Sequence, residues 1–220
     1  MKQQSLFPTP LWTARFNDAD QLTRWEDRVM VLKAADPIGV QLTNQGAWHS
    51  QTTLLQDPGL HELFGWIAAQ VHGALSAWGW DLEQARPRFN NAWAVVSRSG
   101  DSHGAHIHPN SLFSGVFYLS APSGSGAIAF LDPRAGALML QPPLHREAAA
   151  REIGRLRLVP ETGLLLLFPA WLWHEVELSS CQDPPAVRKV VARAFDHAGA
   201  CGEEQCVVTA RLSKLTSGSG

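Results

Sequence analysis

Cysteine is scarce in this chain. Cys181, Cys201 and Cys206 form an odd set without CxxC spacing, so neither a disulfide framework nor a zinc ribbon is indicated, and free thiols are the expectation. An excess of one charge is lacking too. Lys and Arg number 18 against 20 Asp and Glu, a formal net charge of −2, and no block of like charges occurs. That balance argues against an electrostatic grip on nucleic acid or on an anionic membrane surface. Long apolar runs are missing as well. The opening MKQQSLFPTPLW holds no stretch long enough for a signal peptide, and no segment approaches the roughly 20 apolar residues that span a bilayer. The absences point to a cytoplasmic protein with a small-molecule partner, no nucleic acid and no membrane. Assembly as a homodimer stays open. What is present is core-forming material: a chain of 220 residues with 45% hydrophobic residues can bury a full core. A single domain over 1–214 is expected, with 215–220 a flexible Ser/Gly tail.

The texture of the chain changes once. Up to about residue 86 the pattern is mainly helical. A short edge piece, Leu6 to Phe16, tolerates Pro8 and Pro10, and Asp18 or Asp20 then caps a segment to about Lys33 with apolar residues at Leu22, Trp25, Val29 and Leu32. Thr43 to Ser50 reads as a loop with a structural His49. Asp57-Pro58 starts a second helix carrying Leu60, Leu63, Phe64, Ile67, Val71, Leu75 and Trp78 on one stripe, with His61 and His72 as surface residues. From Pro87 to about 212 short β-branched and aromatic runs alternate with Gly, Pro, Asn and Asp. Strands are expected near 88–97, 105–108, 112–119, 127–131, 155–159, 164–168, 174–178 and 188–195, with a weak one near 205–212. Around REAAARE, residues 141–154 read as a helical insert over the barrel mouth. Short antiparallel strands after a helical third predict a mainly β fold, a double-stranded β-helix (jelly roll) with the N-terminal helices packed on one face.

Three histidines carry the chemistry. A strand points residues i and i+2 to one face, so His106 and His108 can converge on one metal ion, whereas His103 has the wrong parity and is cast as a mouth or supporting residue. The third candidate follows the apolar run Leu164 to Phe168, which breaks at Pro169 and delivers His174. Trp171 and Trp173 flank Leu172 beside it. They either wall a substrate pocket or plug the barrel end, and packing is the expectation.

With these residues the sequence resembles the Fe(II)- and 2-oxoglutarate-dependent oxygenases, in particular a bacterial group within them. Leu6 to Pro10 (LFPTP), Thr43 to Trp48 (TNQGAW), His106 to Ser111 (HIHPNS), Ser114 to Leu119 (SGVFYL), Asp132 to Arg134 (DPR) and Leu165 to Val176 occur in that group's order. The resemblance implies Fe(II) held by His106, His108 and His174, with 2-oxoglutarate and O2 as co-substrates. The wider family has a carboxylate where this chain has His108. The resemblance also implies a cation for the far carboxylate of 2-oxoglutarate. Arg188, 14 positions after His174, is the choice, with Arg193 the runner-up and Lys189 set aside for its opposite parity. Asn91 and Ser114 are candidate hydrogen-bonders of 2-oxoglutarate. Trp93, Trp171 and His103 are candidate substrate contacts. The implied activity is oxidation, as in hydroxylation, of a small organic substrate such as an amino acid, a peptide or a natural-product intermediate. Two other readings compete: a three-histidine cupin-like dioxygenase that uses no 2-oxo acid, and a non-catalytic jelly roll that binds a metal or ligand.

Overall fold

The computed structural model describes residues 1–2, 4, 6–84, 87–134, 139, 154–181 and 188–195, with the backbone alone at Arg188 and at residues 193–195. The expected insert over 141–153, the weak strand over 205–212, Cys201, Cys206 and the tail lie outside the described residues. Two antiparallel sheets make up the body. One has six strands, β1 (Trp12–Arg15), β9 (Leu164–Pro169), β6 (Phe113–Ser120), β11 (Arg188–Phe195), β4 (Arg88–Val96) and β3 (Trp48–His49), in that spatial order. The other has five: β2 (Asn44–Gln45), β5 (Ser102–His106), β10 (His174–Val176), β7 (Ile128–Leu131) and β8 (Arg155–Leu158). This is the expected jelly roll. Helices α1 (Ala19–Ala35) and α2 (His61–Ala77) cover the outer face of the six-stranded sheet. Among the described residues no helix is long and apolar enough to cross a membrane.

Strand alternation divides the interior into two cores. Leu165 and Leu167 of β9, Phe113 and Phe117 of β6, and Ala92 and Ala94 of β4 pack against the helices. Their neighbours Leu166, Phe168, Val116, Tyr118, Trp93 and Val95 face the second sheet. The central strands are therefore apolar on both sides, which is why β9 reads as an unbroken run. The helices start where capping side chains allow. Asp18 accepts the Gln21 N–H at 2.9 Å, and Leu22, Trp25 and Val29 of α1 are buried. Asp57 accepts the Gly59 N–H and pairs with Arg28 of α1 at 2.8 Å, which ties the two helical segments together. Pro58 sits in a 3-10 turn, Pro58–Leu60, so α2 itself begins one turn later than its sequence signal.

The N-terminal third is less purely helical than expected, because it contributes β1, β2 and β3. Thr43 to Ser50 is not a free loop. The Asn44 side chain accepts the Leu42 N–H at 2.7 Å and donates to the Ala47 carbonyl at 2.6 Å, holding a tight turn between two short strands. Asn44 and Gln45 pair with His103 and Ser102 of one sheet, while Trp48 and His49 pair with Val96 and Val95 of the other. The segment thus bridges the sheets at one rim. Strand β5 also differs from the reading over 105–108: it runs from Ser102 to His106, and His108 stands just beyond it, held by its backbone N–H to the Ala170 carbonyl at 2.9 Å.

Candidate metal centre and cavity

Three imidazoles meet between the sheets. His106 ends β5, His174 opens β10 directly across from it, and His108 follows β5. One ring nitrogen from each lies within 4.8 Å of the other two. Backbone carbonyls set the ring orientations: Nδ1 of His106 lies 2.7 Å from the Gly104 carbonyl and Nδ1 of His174 lies 2.9 Å from that of Leu172. A carbonyl only accepts, so each Nδ1 carries the proton and each Nε2 keeps its lone pair for a ligand. Burial holds both rings neutral, His174 down to about 3, with the proximity of His106 adding to the shift. Phe168 and Phe130 pack against His174, and Trp93 meets His108 edge-on at 5.7 Å. The centre is therefore a cluster of three ring nitrogens beside aromatic side chains.

A cavity of about 240 Å³ runs from these histidines between the sheets. Three further titratable side chains line it, His49, His103 and Lys189, together with Thr43 and Thr52. His49 is more than structural, since it faces the cavity as well as stacking on Trp93 at 5.3 Å. His103 does not face away. Pairing between β10 and β5 puts His174 opposite His106 but Val176 opposite His103, so the four residues His103–His106 of β5 span the three residues His174–Val176 of β10. That extra residue is a β-bulge; it reverses the parity and turns His103 to the same side as His106. Strict alternation from the sequence misses it.

Lys189 is the cation that the structure places in the cavity. It is 3% exposed, and among the described residues no carboxylate pairs with it. Burial pushes its ammonium down to about 8. Lys189 alternates with Val190 and Ala192, which face the helices, and shares parity with Val191, which faces the cavity. Directly across the strand from it stands Tyr118, whose buried hydroxyl has no hydrogen-bond partner among the described residues and whose ionisation burial pushes well above the usual phenol range. The backbone of Arg188 pairs with Val96 and Ser120, and that of Arg193 pairs with Asn91 and Ser114; both side chains lie outside the described residues. Lys189, set aside in the sequence for its opposite parity to Arg188, is thus a described cation of β11 that lines the cavity.

The remaining candidates divide. Trp93 lines the cavity, whereas Asn91 and Ser114 do not. Trp171 and Trp173 are about half exposed, at 49% and 45%, so the packing expectation is overturned: only Leu172 between them is buried, in the tight turn closed by its N–H to the Pro169 carbonyl. His61 and His72 lie exposed on α2. Cys181 is a buried free thiol.

Residues 91–185, which contain the three clustered histidines, match the family model described as "Putative 2OG-Fe(II) oxygenase", where 2OG is 2-oxoglutarate. No curated protein matches the chain. Among solved structures, it is similar to a Pseudomonas putida prolyl-4-hydroxylase at 14% identity and a TM-score of 0.58, over 85% of this chain and 93% of that one. HygX from Streptomyces hygroscopicus, solved with nickel, 2-oxoglutarate and hygromycin B bound, gives 13% identity and 0.57, over 85% and 83%. A prolyl hydroxylase from Trichoplax adhaerens, in complex with a hypoxia inducible factor peptide fragment, gives 15% and 0.58, over 84% and 83%. At these identities the likeness is one of fold.

Proposed function

We propose that this protein is a non-haem iron oxygenase that couples decarboxylation of 2-oxoglutarate to the oxidation, as in hydroxylation, of a small organic substrate. His106, His108 and His174 hold the Fe(II), and Lys189 anchors the far carboxylate of 2-oxoglutarate. The observation that carries this reading is the convergence of three ligating nitrogens within 4.8 Å inside the segment that matches the oxygenase model. The donor set fits the metal: neutral imidazoles suit Fe(II), and the two rings tied through Nδ1 offer Nε2. When bound, iron with 2-oxoglutarate and O2 supplies the oxidising chemistry, leaving succinate and carbon dioxide from the co-substrate.

The protein's own residues bind, orient and exclude water. No carboxylate lines the cavity among the described residues, so the three ligands leave the charge of the metal undiminished and favour an anionic chelator. At the other end, a buried ammonium without a carboxylate partner is costly unless a ligand completes it. A dicarboxylic 2-oxo acid satisfies both ends. Phe130, Phe168 and Trp93 pack around the histidines and keep that end dry.

A second reading draws on the same neutral ligand set, since a three-histidine dioxygenase uses no 2-oxo acid. Lys189 separates the two. In anaerobic Fe(II) protein, 2-oxoglutarate should raise a weak visible charge-transfer band. His108→Ala should lose stoichiometric iron. Lys189→Met should keep iron but bind 2-oxoglutarate on the order of a hundred- to several-thousand-fold more weakly, the usual loss when a desolvated charge pair is broken. Undiminished iron affinity in His108→Ala would remove the triad. Oxygen uptake that ignores 2-oxoglutarate would favour the second reading, and its absence under every condition would leave a binding module.

A further inference from the structure

His103 is explained by neither the metal centre nor the fold. It is 7% exposed, it lines the cavity, and its Nε2 is buried with no hydrogen-bond partner among the described residues. A β-bulge is spent on turning it inward, opposite Val176. An unpaired polar nitrogen in such a place is costly, so a ligand group that completes it adds to binding.

We propose that His103 donates a hydrogen bond from Nε2 to the far carboxylate of the 2-oxo acid, beside Lys189, and so helps to select a dicarboxylic co-substrate. The proposal rests on the oxygenase reading above. Three observations favour a carboxylate there. After burial itself, the Lys189 ammonium is the strongest influence holding His103 neutral, ahead of His106, His49 and His174, so the imidazole and the ammonium serve one region of the cavity. A neutral imidazole is a donor at one nitrogen, and in His103 no carbonyl among the described residues claims that proton for Nδ1. His49 is the contrasting case: its Nδ1 lies 2.6 Å from the Ser50 carbonyl, which assigns its proton to Nδ1 and leaves Nε2 an acceptor, unsuited to a carboxylate.

The test compares two 2-oxo acids in anaerobic Fe(II) protein, by calorimetry and by the charge-transfer band. One is 2-oxoglutarate and the other is 2-oxobutyrate, which chelates in the same way but has no far carboxylate. His103→Leu should bind 2-oxoglutarate about ten- to a hundredfold more weakly, as expected for the loss of a hydrogen bond to a charged group, and 2-oxobutyrate within about twofold of wild type. Fe(II) affinity should not move. His103→Gln, which keeps an N–H donor of similar reach, should recover most of the loss. His103→Asn, too short to reach, should behave like Leu and stands in should the Leu variant fold poorly. Equal weakening of both acids would mean a structural role and overturn the proposal, as would unchanged 2-oxoglutarate binding. A wild type that binds Fe(II) but no 2-oxoglutarate would instead overturn the co-substrate reading itself.

Discussion

On one face of the six-stranded sheet, Ala92, Ala94, Phe117, Leu165, Leu167 and Val190 meet α1 and α2 in an apolar core. On the other face the intervening residues of the same strands, Trp93, Val95, Val116, Lys189 and Val191, line a cavity that also holds five histidines. Strands β4, β6 and β11 contribute to both faces. What separates them is parity alone, and the difference teaches where each kind of free energy resides: apolar burial on the helix side stabilises the fold, while polar groups on the cavity side cost stability until a ligand arrives.

The largest stability effect should come from the helix side. Phe117→Ala removes a fully buried ring that touches Phe16, Trp25 and Trp66, and should cost about 3–5 kcal/mol in urea unfolding. Fe(II) affinity per folded molecule should stay at the wild-type value; a parallel loss would show that the two faces are coupled. On the cavity side the sign reverses. Burial places the Lys189 ammonium at about 8 in the folded protein against 10.5 ordinarily, so between those values the unfolded chain holds a proton that the folded chain has released. Stability of the metal-free protein should therefore rise with pH across that window, by about 3 kcal/mol in all. Lys189→Met should remove the rise and gain a similar amount at pH 7, as unfolding curves at pH 7 and pH 10 would show. A loss of stability at pH 7 would mean that Lys189 supports the fold. The smallest effect belongs to neither face. Arg15 and Glu161 form an exposed pair at the sheet edge, and Arg15→Gln should change stability by about 0–1 kcal/mol and metal binding not at all.

Much of this was legible in the sequence for physical reasons that particular residues display. The run Leu164 to Phe168 could be read as a central strand because both of its faces are buried. Asp18 and Asp57 announce helices because their side chains replace missing backbone partners. The HxH pair followed by a distant His brought three histidines to notice, and the fold sets those three together. What stayed hidden depends on pairing between distant segments. Nothing local to Ser102–His106 reveals a bulge, since the extra residue exists only relative to β10. Likewise the place of Lys189 in the cavity turns on which face of β11 meets the second sheet, and that is fixed by its neighbours β4 and β6. The Thr43–Ser50 segment looks like a loop because its two strands have only two residues each.

The bulge in β5 has a bearing on heredity. The spacing of His106 and His108 is untouched by it, and loss of a single codon at Gly104 or Ala105 would leave two steps on each strand between the paired residues, restore regular pairing with β10 and keep His103 opposite Val176 on the side of His106. The length of β5 can thus change by one codon between descendants while the ligand pair and the polarity of the cavity are both kept.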